Sequence, residues 1–367
     1  MKCELGTICS RLSSGKNISA KLVHNQGKYP VYGGNGLRGY TDICNFDGEC
    51  AIIGRQGAFC GNVHYFKGSA YMTEHAVVVC ADENNNTRYL AYLLSTMQLG
   101  RLSAQSAQPG LSVKMLSKQI IELPPLEVQN QVANLLTALD DKIELNSKIN
   151  DNLQQQLLTL YGNMILSAPA AMCVELKALC NFQEGYVNPS QTHPEYFDGD
   201  IKWLRAVDIN ESFIINTSRT LTTTGFESAK KSAILFQPNT IAISKSGTIG
   251  RLGIIADFMC GNRAVINIAP HNPKHLPLIY AYLKSRQREI PDMAVGSVQK
   301  NLYVSILEPL VVNLPEQKTL ISFCNAGQTI LDAICNNCKE NNTLVALRDT
   351  LLPKLISGEI DVSDVQI

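Results

Sequence analysis

No run of about 18 apolar residues occurs in the 367-residue chain, so nothing in it reads as a membrane-crossing helix. The opening Met1-Lys2-Cys3-Glu4-Leu5-Gly6-Thr7 lacks the apolar core of a signal peptide, and the expected address is cytoplasmic with no membrane partner. Net charge is also missing: 32 Lys+Arg balance 32 Asp+Glu, so no whole-molecule field draws the chain to nucleic acid or lipid. The twelve cysteines form no tight framework and read as reduced thiols. A Walker-type phosphate loop, a methyltransferase-like tetrapeptide and a Ser, His and Asp set are all absent, which leaves the chain catalytically empty.

What is present is a repeat. With 45% apolar residues, the length suits two or three domains. Glu4-Leu5, Tyr89-Leu90-Ala91-Tyr92-Leu93 and Leu123-Pro124 return as Glu175-Leu176, Ile279-Tyr280-Ala281-Tyr282-Leu283 and Leu314-Pro315, at offsets of 171, 190 and 191. The smaller first offset places extra length near the start of the second copy, where loops take up insertions. Short β-rich runs such as Ala51-Ile52-Ile53 and Ile241-Ala242-Ile243, with helical stretches near Tyr89–Met97 and Leu278–Arg288, predict compact α+β units.

After each Leu-Pro the texture turns helical, with apolar residues in three- and four-residue steps. One seam runs from Val132 to Met164 through Asn146 and Asn150; the other runs from Phe323 to Leu355 through Asn337 and Asn341. A seam asparagine gives up stability to fix register, because only another polar group satisfies it. Antiparallel helices would set Asn146 against Asn341 and Asn150 against Asn337, about a pseudo-twofold axis. The expected divisions are globular residues 1–124, helix 125–166, globular residues 167–314, and helix plus tail 315–367.

Residues 1–125 hold 12 basic and 8 acidic groups and residues 167–313 hold 14 and 12, whereas the first helix holds 2 and 5 and the final segment 4 and 7. Neutrality thus hides globular parts that lean basic and helices that lean acidic, the split expected if only the globular parts touch phosphate.

Several motifs have plainer explanations. Gly34-x-Gly36-x-x-Gly39 matches a dinucleotide fingerprint in letters, but no helix follows, and a tight turn explains it better. Pro291-Asp292 with Glu316-x-Lys318 imitates nuclease spacing, yet Glu316 reads as a first-turn acid of the second helix. Cys335-x-x-Cys338 lies within that helix, and Cys44, Cys50, Cys60 and His64 fit no usual metal site. No metal or cofactor is expected.

Polar loops remain at equivalent places in the two copies, and Arg, Lys, Gln and Asn are the groups that read base edges. In the first copy the candidates are Tyr32, Asn35 and Arg38, then Arg55, Gln56, Asn62 and His64, and then Gln105 and Gln108. In the second they are Arg205, then Lys245, Ser246, Thr248 and Arg251, then Asn262 and Arg263, and finally Gln299 and Lys300. Solvated turns are the plainer reading of any one such loop. An assembly scaffold that binds protein, and an enzyme acting on a small anion, stay open as alternatives. Steep salt dependence of binding separates them from a DNA reader.

The layout resembles the specificity subunit of type I restriction-modification enzymes. The likeness is carried by Tyr29-Pro30-Val31-Tyr32-Gly33-Gly34-Asn35-Gly36, by Leu123-Pro124-Pro125-Leu126-Glu127-Val128-Gln129 and by Leu351-Leu352-Pro353-Lys354-Leu355-Ile356-Ser357-Gly358-Glu359-Ile360. It implies a non-catalytic subunit with two target-recognition domains, each reading half of a split sequence in double-stranded DNA. It also implies an antiparallel coiled coil that docks methyltransferase subunits and, through them, restriction and translocation subunits. The Val132–Met164 seam measures about 48 Å at about 1.5 Å per residue, and half-sites about one duplex turn, about 34 Å, apart are expected. This chain departs from the pattern where Trp203-Leu204-Arg205-Ala206-Val207-Asp208-Ile209 replaces the glycine-rich stretch, and where Leu314-Pro315-Glu316-Gln317 lacks a second proline.

Overall fold

A computed structural model describes residues 1–103, 110–167, 171–296 and 299–362. Two compact units divide it. One is Met1–Asp141 with Val345–Ile367, and the other is Lys142–Leu344. The division falls inside both long helices, because each half-helix packs on the globular part beside it in its own unit.

In the first unit the strands are β1 (Lys2–Glu4), β2 (Cys9–Ser14), β3 (Tyr29–Gly33), β4 (Gly36–Thr41), β5 (Phe46–Gly54), β6 (Val63–Met72), β7 (Ala76–Ala81) and β8 (Ile120–Glu122). Helices α1 (Thr87–Thr96) and α2 (Val113–Ser117) follow β7, and α3 (Leu126–Ser167) begins here. The main sheet runs β2-β7-β5-β6-β3-β4, while β1 pairs with β8. The apolar run at Ala51-Ile52-Ile53 is continuous because both faces of β5 are covered. Ala51 and Ile53 join a core with Leu90 and Leu94 of α1 and Leu136 of α3. On the opposite face Ile52 packs with Phe46, Met72 and Val78. Asn86 caps α1, its Oδ1 accepting the Tyr89 amide at 2.8 Å.

The second unit has β9 (Met172–Glu175), β10 (Cys180–Glu184), β11 (Phe197–Leu204), β12 (Phe213–Ile214), β13 (Thr220–Leu221) and β14 (Leu235–Phe236). The strands β15 (Ile241–Ser244), β16 (Leu252–Ile255), β17 (Met259–Gly261), β18 (Val265–Pro270) and β19 (Val311–Leu314) complete it. Its helices are α4 (Thr223–Glu227), α5 (Leu276–Ser285), α6 (Val304–Leu307) and α7 (Gln317–Ser357). The order β10-β18-β15-β16 repeats the first unit's β2-β7-β5-β6, and β9 with β19 repeats β1 with β8. The extra length of this copy builds a second sheet, β13-β11-β17-β14. The chain is α+β throughout.

Within the second unit α3 and α7 run antiparallel. Asn146 Nδ2 donates to Asn341 Oδ1 at 2.9 Å and to Glu340 Oε2 at 2.7 Å, and Asn337 Nδ2 donates to Asn150 Oδ1 at 2.8 Å. Asn146 is buried, so its amide has no water to fall back on. Asn146→Leu is expected to cost about 1–3 kcal/mol, because Glu340 and the half-buried Asn341 both lose the donor that Asn146 supplies. Adding Asn341→Leu should recover most of that loss, leaving a coupling of about 1–2 kcal/mol in a denaturation double-mutant cycle. Strictly additive losses would show that the two amides do not act as a pair.

In the first unit the corresponding stretch is ionic. Asp140 of α3 meets Arg348 of α7 at 2.9 Å and Arg88 of α1 at 2.8 Å. The offset of 191 makes Leu331 the counterpart of Asp140 and Leu157 the counterpart of Arg348, and both leucines are 0% exposed in the second unit's core.

Candidate nucleic-acid interface

The first cluster is assembled by backbone bonds around the end of β5. The Arg55 amide donates to His75 O at 3.0 Å, and the Leu111 amide donates to Arg55 O at 2.8 Å. The Gly54 amide donates to Asn62 O at 2.9 Å, and the Thr73 amide donates to Tyr32 O at 2.9 Å. These bonds gather the β3–β4 turn, the loop 55–62, the turn 73–75 and the chain at residues 110–111. Gly54 lies where they cross, and a Cβ there would collide with the carbonyl oxygens of Gly34 and Phe59. The glycine-rich letters at Gly34–Gly39 form this hairpin, and Gly36 adopts φ +86°, which favours glycine.

The second unit repeats the frame bond for bond. The Lys245 amide donates to Ala264 O at 2.7 Å, and the Leu302 amide donates to Lys245 O at 2.9 Å. The Ser244 amide donates to Arg251 O at 2.9 Å, and the Asn262 amide donates to Leu204 O at 2.9 Å. Lys245 therefore stands where Arg55 does, Arg251 where Asn62 does, and Leu204 where Tyr32 does. Trp203 and Leu204 pair in parallel with Cys260 and Gly261, as Val31 and Tyr32 pair with Tyr71 and Met72. The tryptophan segment thus fills the station of the glycine-rich strand.

The side chains differ in how free they are. Asn35, Arg38, Gln56, Asn62 and His64 are exposed in the first unit, as are Thr248, Arg263, Gln299 and Lys300 in the second. Asn62 and His64 line a cleft of about 580 Å³ with Ser95, Gln98 and Arg101. Ser246 and Arg251 are half-buried at the loop. Arg55 is half-buried, its Nη1 3.5 Å from Ser14 Oγ. Tyr32 packs on Phe66 with ring centroids 4.9 Å apart, and burial raises its phenol above the ordinary value, so it stays a neutral donor. Gln105 and Gln108 lie outside the described residues.

Three candidates are held by partners distant in sequence or by their own turn. Lys245 Nζ sits 2.7 Å from Glu184 Oε2, and its ammonium lies 5.0 Å from the Tyr303 ring centroid. Arg205 donates to Ser218 Oγ at 2.5 Å and lies 5.4 Å from the Trp203 ring centroid. Asn262 Oδ1 accepts the Ala264 amide at 3.0 Å, closing its own turn. Sequence reasoning passed over Arg101 in the cleft and the exposed pair Lys230-Lys231, for which the adjacent lysines were the available signal.

Among the described residues no group of three or more His, Cys, Asp or Glu could hold a metal, and no helix is long and apolar enough to cross a membrane. Burial pushes the Cys50, Cys180 and Cys260 thiols up to about 12, which keeps them protonated and inert near neutral pH.

Comparison with known proteins adds to this geometry. The family described as type I restriction modification DNA specificity domain matches residues 1–155 and 171–339. The specificity subunit of the type I restriction enzyme EcoprrI of Escherichia coli is 40% identical over 134 residues, 35% of this chain and 33% of that protein. This chain therefore matches only about a third of that relative's length. The specificity subunit of the MjaIX enzyme of Methanocaldococcus jannaschii is 27% identical over 306 residues, covering 76% of this chain and 70% of the relative. Among solved structures, the S subunit of a type I restriction-modification system from M. genitalium is similar in fold. It has a TM-score of 0.61 at 18% identity over 97% of this chain and 95% of that one.

Proposed function

The chain belongs to the type I restriction modification DNA specificity family, and from that premise we propose that it is the non-catalytic DNA-specificity subunit of a type I restriction-modification enzyme. Each globular part reads one half of a bipartite duplex target. The observation that carries this reading is the repeated loop frame, on which the same backbone bonds present different side chains: Arg55 against Lys245, and Asn62 against Arg251. A shared scaffold with unlike reading groups suits two related half-sites of unlike sequence. Arg and Lys donate to guanine or phosphate, Asn and Gln bond adenine, and glycine lets backbone approach closely.

The long helices lean acidic, with 5 acidic and 2 basic groups on the first, so they favour protein over phosphate. In this reading they dock methyltransferase subunits and, through them, the restriction and translocation subunits. Their 42 and 41 residues, about 62 Å each at about 1.5 Å per residue, set the length of the unread spacer.

The test is to map methylated adenines in the host genome with and without this chain. The expected result is a two-part motif that disappears when the chain is deleted. Removing four residues from each long helix should shorten the preferred spacer and leave both half-sites unaltered. A continuous motif, or equal affinity of the complex for every duplex, would instead support a scaffold.

A further inference from the structure

Two turns on the repeated frame carry opposite charge. Residues 73–75 join β6 to β7, and residues 262–264 join β17 to β18. Each turn is closed alike, the Ala76 amide donating to Thr73 O at 3.0 Å and the Val265 amide to Asn262 O at 3.1 Å. Each is also tied to its reading loop alike, through His75 O and Ala264 O. The middle residues of the two turns are Glu74 and Arg263.

Glu74 Oε1 lies 3.1 Å from His75 Nε2, while its Oε2 accepts no hydrogen bond among the described residues. The Glu74 side chain is 35% exposed although Oε2 itself is buried, so Oε1, with only the neighbouring His75 ring beside it, is the oxygen that can accept from a donor outside. Arg263 is exposed, and its guanidinium has no partner among the described residues.

An ionised carboxylate only accepts and a guanidinium only donates, so the two demand different base edges. The carboxylate takes the amino group of cytosine N4 or adenine N6, and the guanidinium pairs with guanine O6 and N7. We propose that Glu74 and Arg263 determine specificity in the two half-sites. Glu74 selects an amino-bearing base in the half read by the first unit, and Arg263 selects guanine in the half read by the second. The assignment rests on the functional reading above.

The experiment uses the chain in complex with its methyltransferase subunits and maps the methylated motif for wild type, Glu74→Gln and Arg263→Gln. Glutamine keeps the shape of Glu74 while adding a donor, so preference at one position of one half-site should fall about tenfold or more. Arg263→Gln should erase a guanine preference in the other half by a similar factor. In each variant the untouched half-site is the control for folding. The assignment is overturned if both variants keep the wild-type motif, or if both alter the same half. A wild-type complex that marks no two-part motif would instead sink the functional reading beneath it.

Discussion

Raising salt from about 50 to about 200 mM is expected to weaken duplex binding by the chain about a thousandfold, as read by titration at fixed protein concentration. The reason is counterion release: each neutralised phosphate adds close to one unit to the slope of log affinity against log salt, and a protein with about six contacts loses about that factor. The exposed cations Arg38 and Lys300 are the donors in the two clusters best placed to contribute. Arg38→Ala and Lys300→Ala should each lower the slope by about one. Lys245→Ala is a poorer probe. It strips Glu184 of its 2.7 Å partner at a site where the two side chains are 14% and 19% exposed, so stability falls along with binding. A flat salt response would remove phosphate contact from the account and leave a protein-binding scaffold.

Gly54→Ala should abolish recognition of one half-site while the other persists. The added methyl meets two backbone carbonyls, Gly34 O and Phe59 O, rather than a side chain that could swing away. Relief requires the β3–β4 turn and the loop 55–62 to move apart, and these elements carry Asn35, Arg55 and Gln56. Overpacking of this kind costs about 1–3 kcal/mol, within what a folded domain tolerates. The variant should therefore melt a few degrees lower in the first unit and methylate a motif degenerate in one half. Ser244 is Gly54's counterpart, and its Oγ bonds Thr248 O and the Arg251 amide. The second frame is thus held by a hydroxyl where the first needs open space, and Ser244→Ala should produce the milder defect. Equal retention of both half-sites in Gly54→Ala would mean that the cluster is not a reading surface.

Local chemistry made much of this legible. Three- and four-residue steps marked the long helices, and the β-rich runs at Ala51 and Ile241 fell on the central strands β5 and β15. The seam asparagines could be paired on paper because an offset and an antiparallel direction suffice. What stayed hidden depends on contacts between distant residues. Glu184 lies 61 residues from Lys245, and no local pattern announces that it holds the ammonium. The match of Leu204 to Tyr32 comes from parallel ladders, which leave no spacing signature where an insertion shifts the offset from 190 to 172. The second sheet of the later copy includes the two-residue strands Thr220–Leu221 and Leu235–Phe236, too short for any periodicity to register.

The substitution of leucines for the Asp140–Arg348 ion pair at the duplicated stations makes the two rods distinguishable to one another. A rod laid against its own twin would press a carboxylate or a guanidinium onto Leu157 or Leu331, stranding a charge in oil. Only the unlike match seats ion on ion and leucine on leucine. The amides keep the rods aligned end to end, and the charges tell each rod which neighbour to accept.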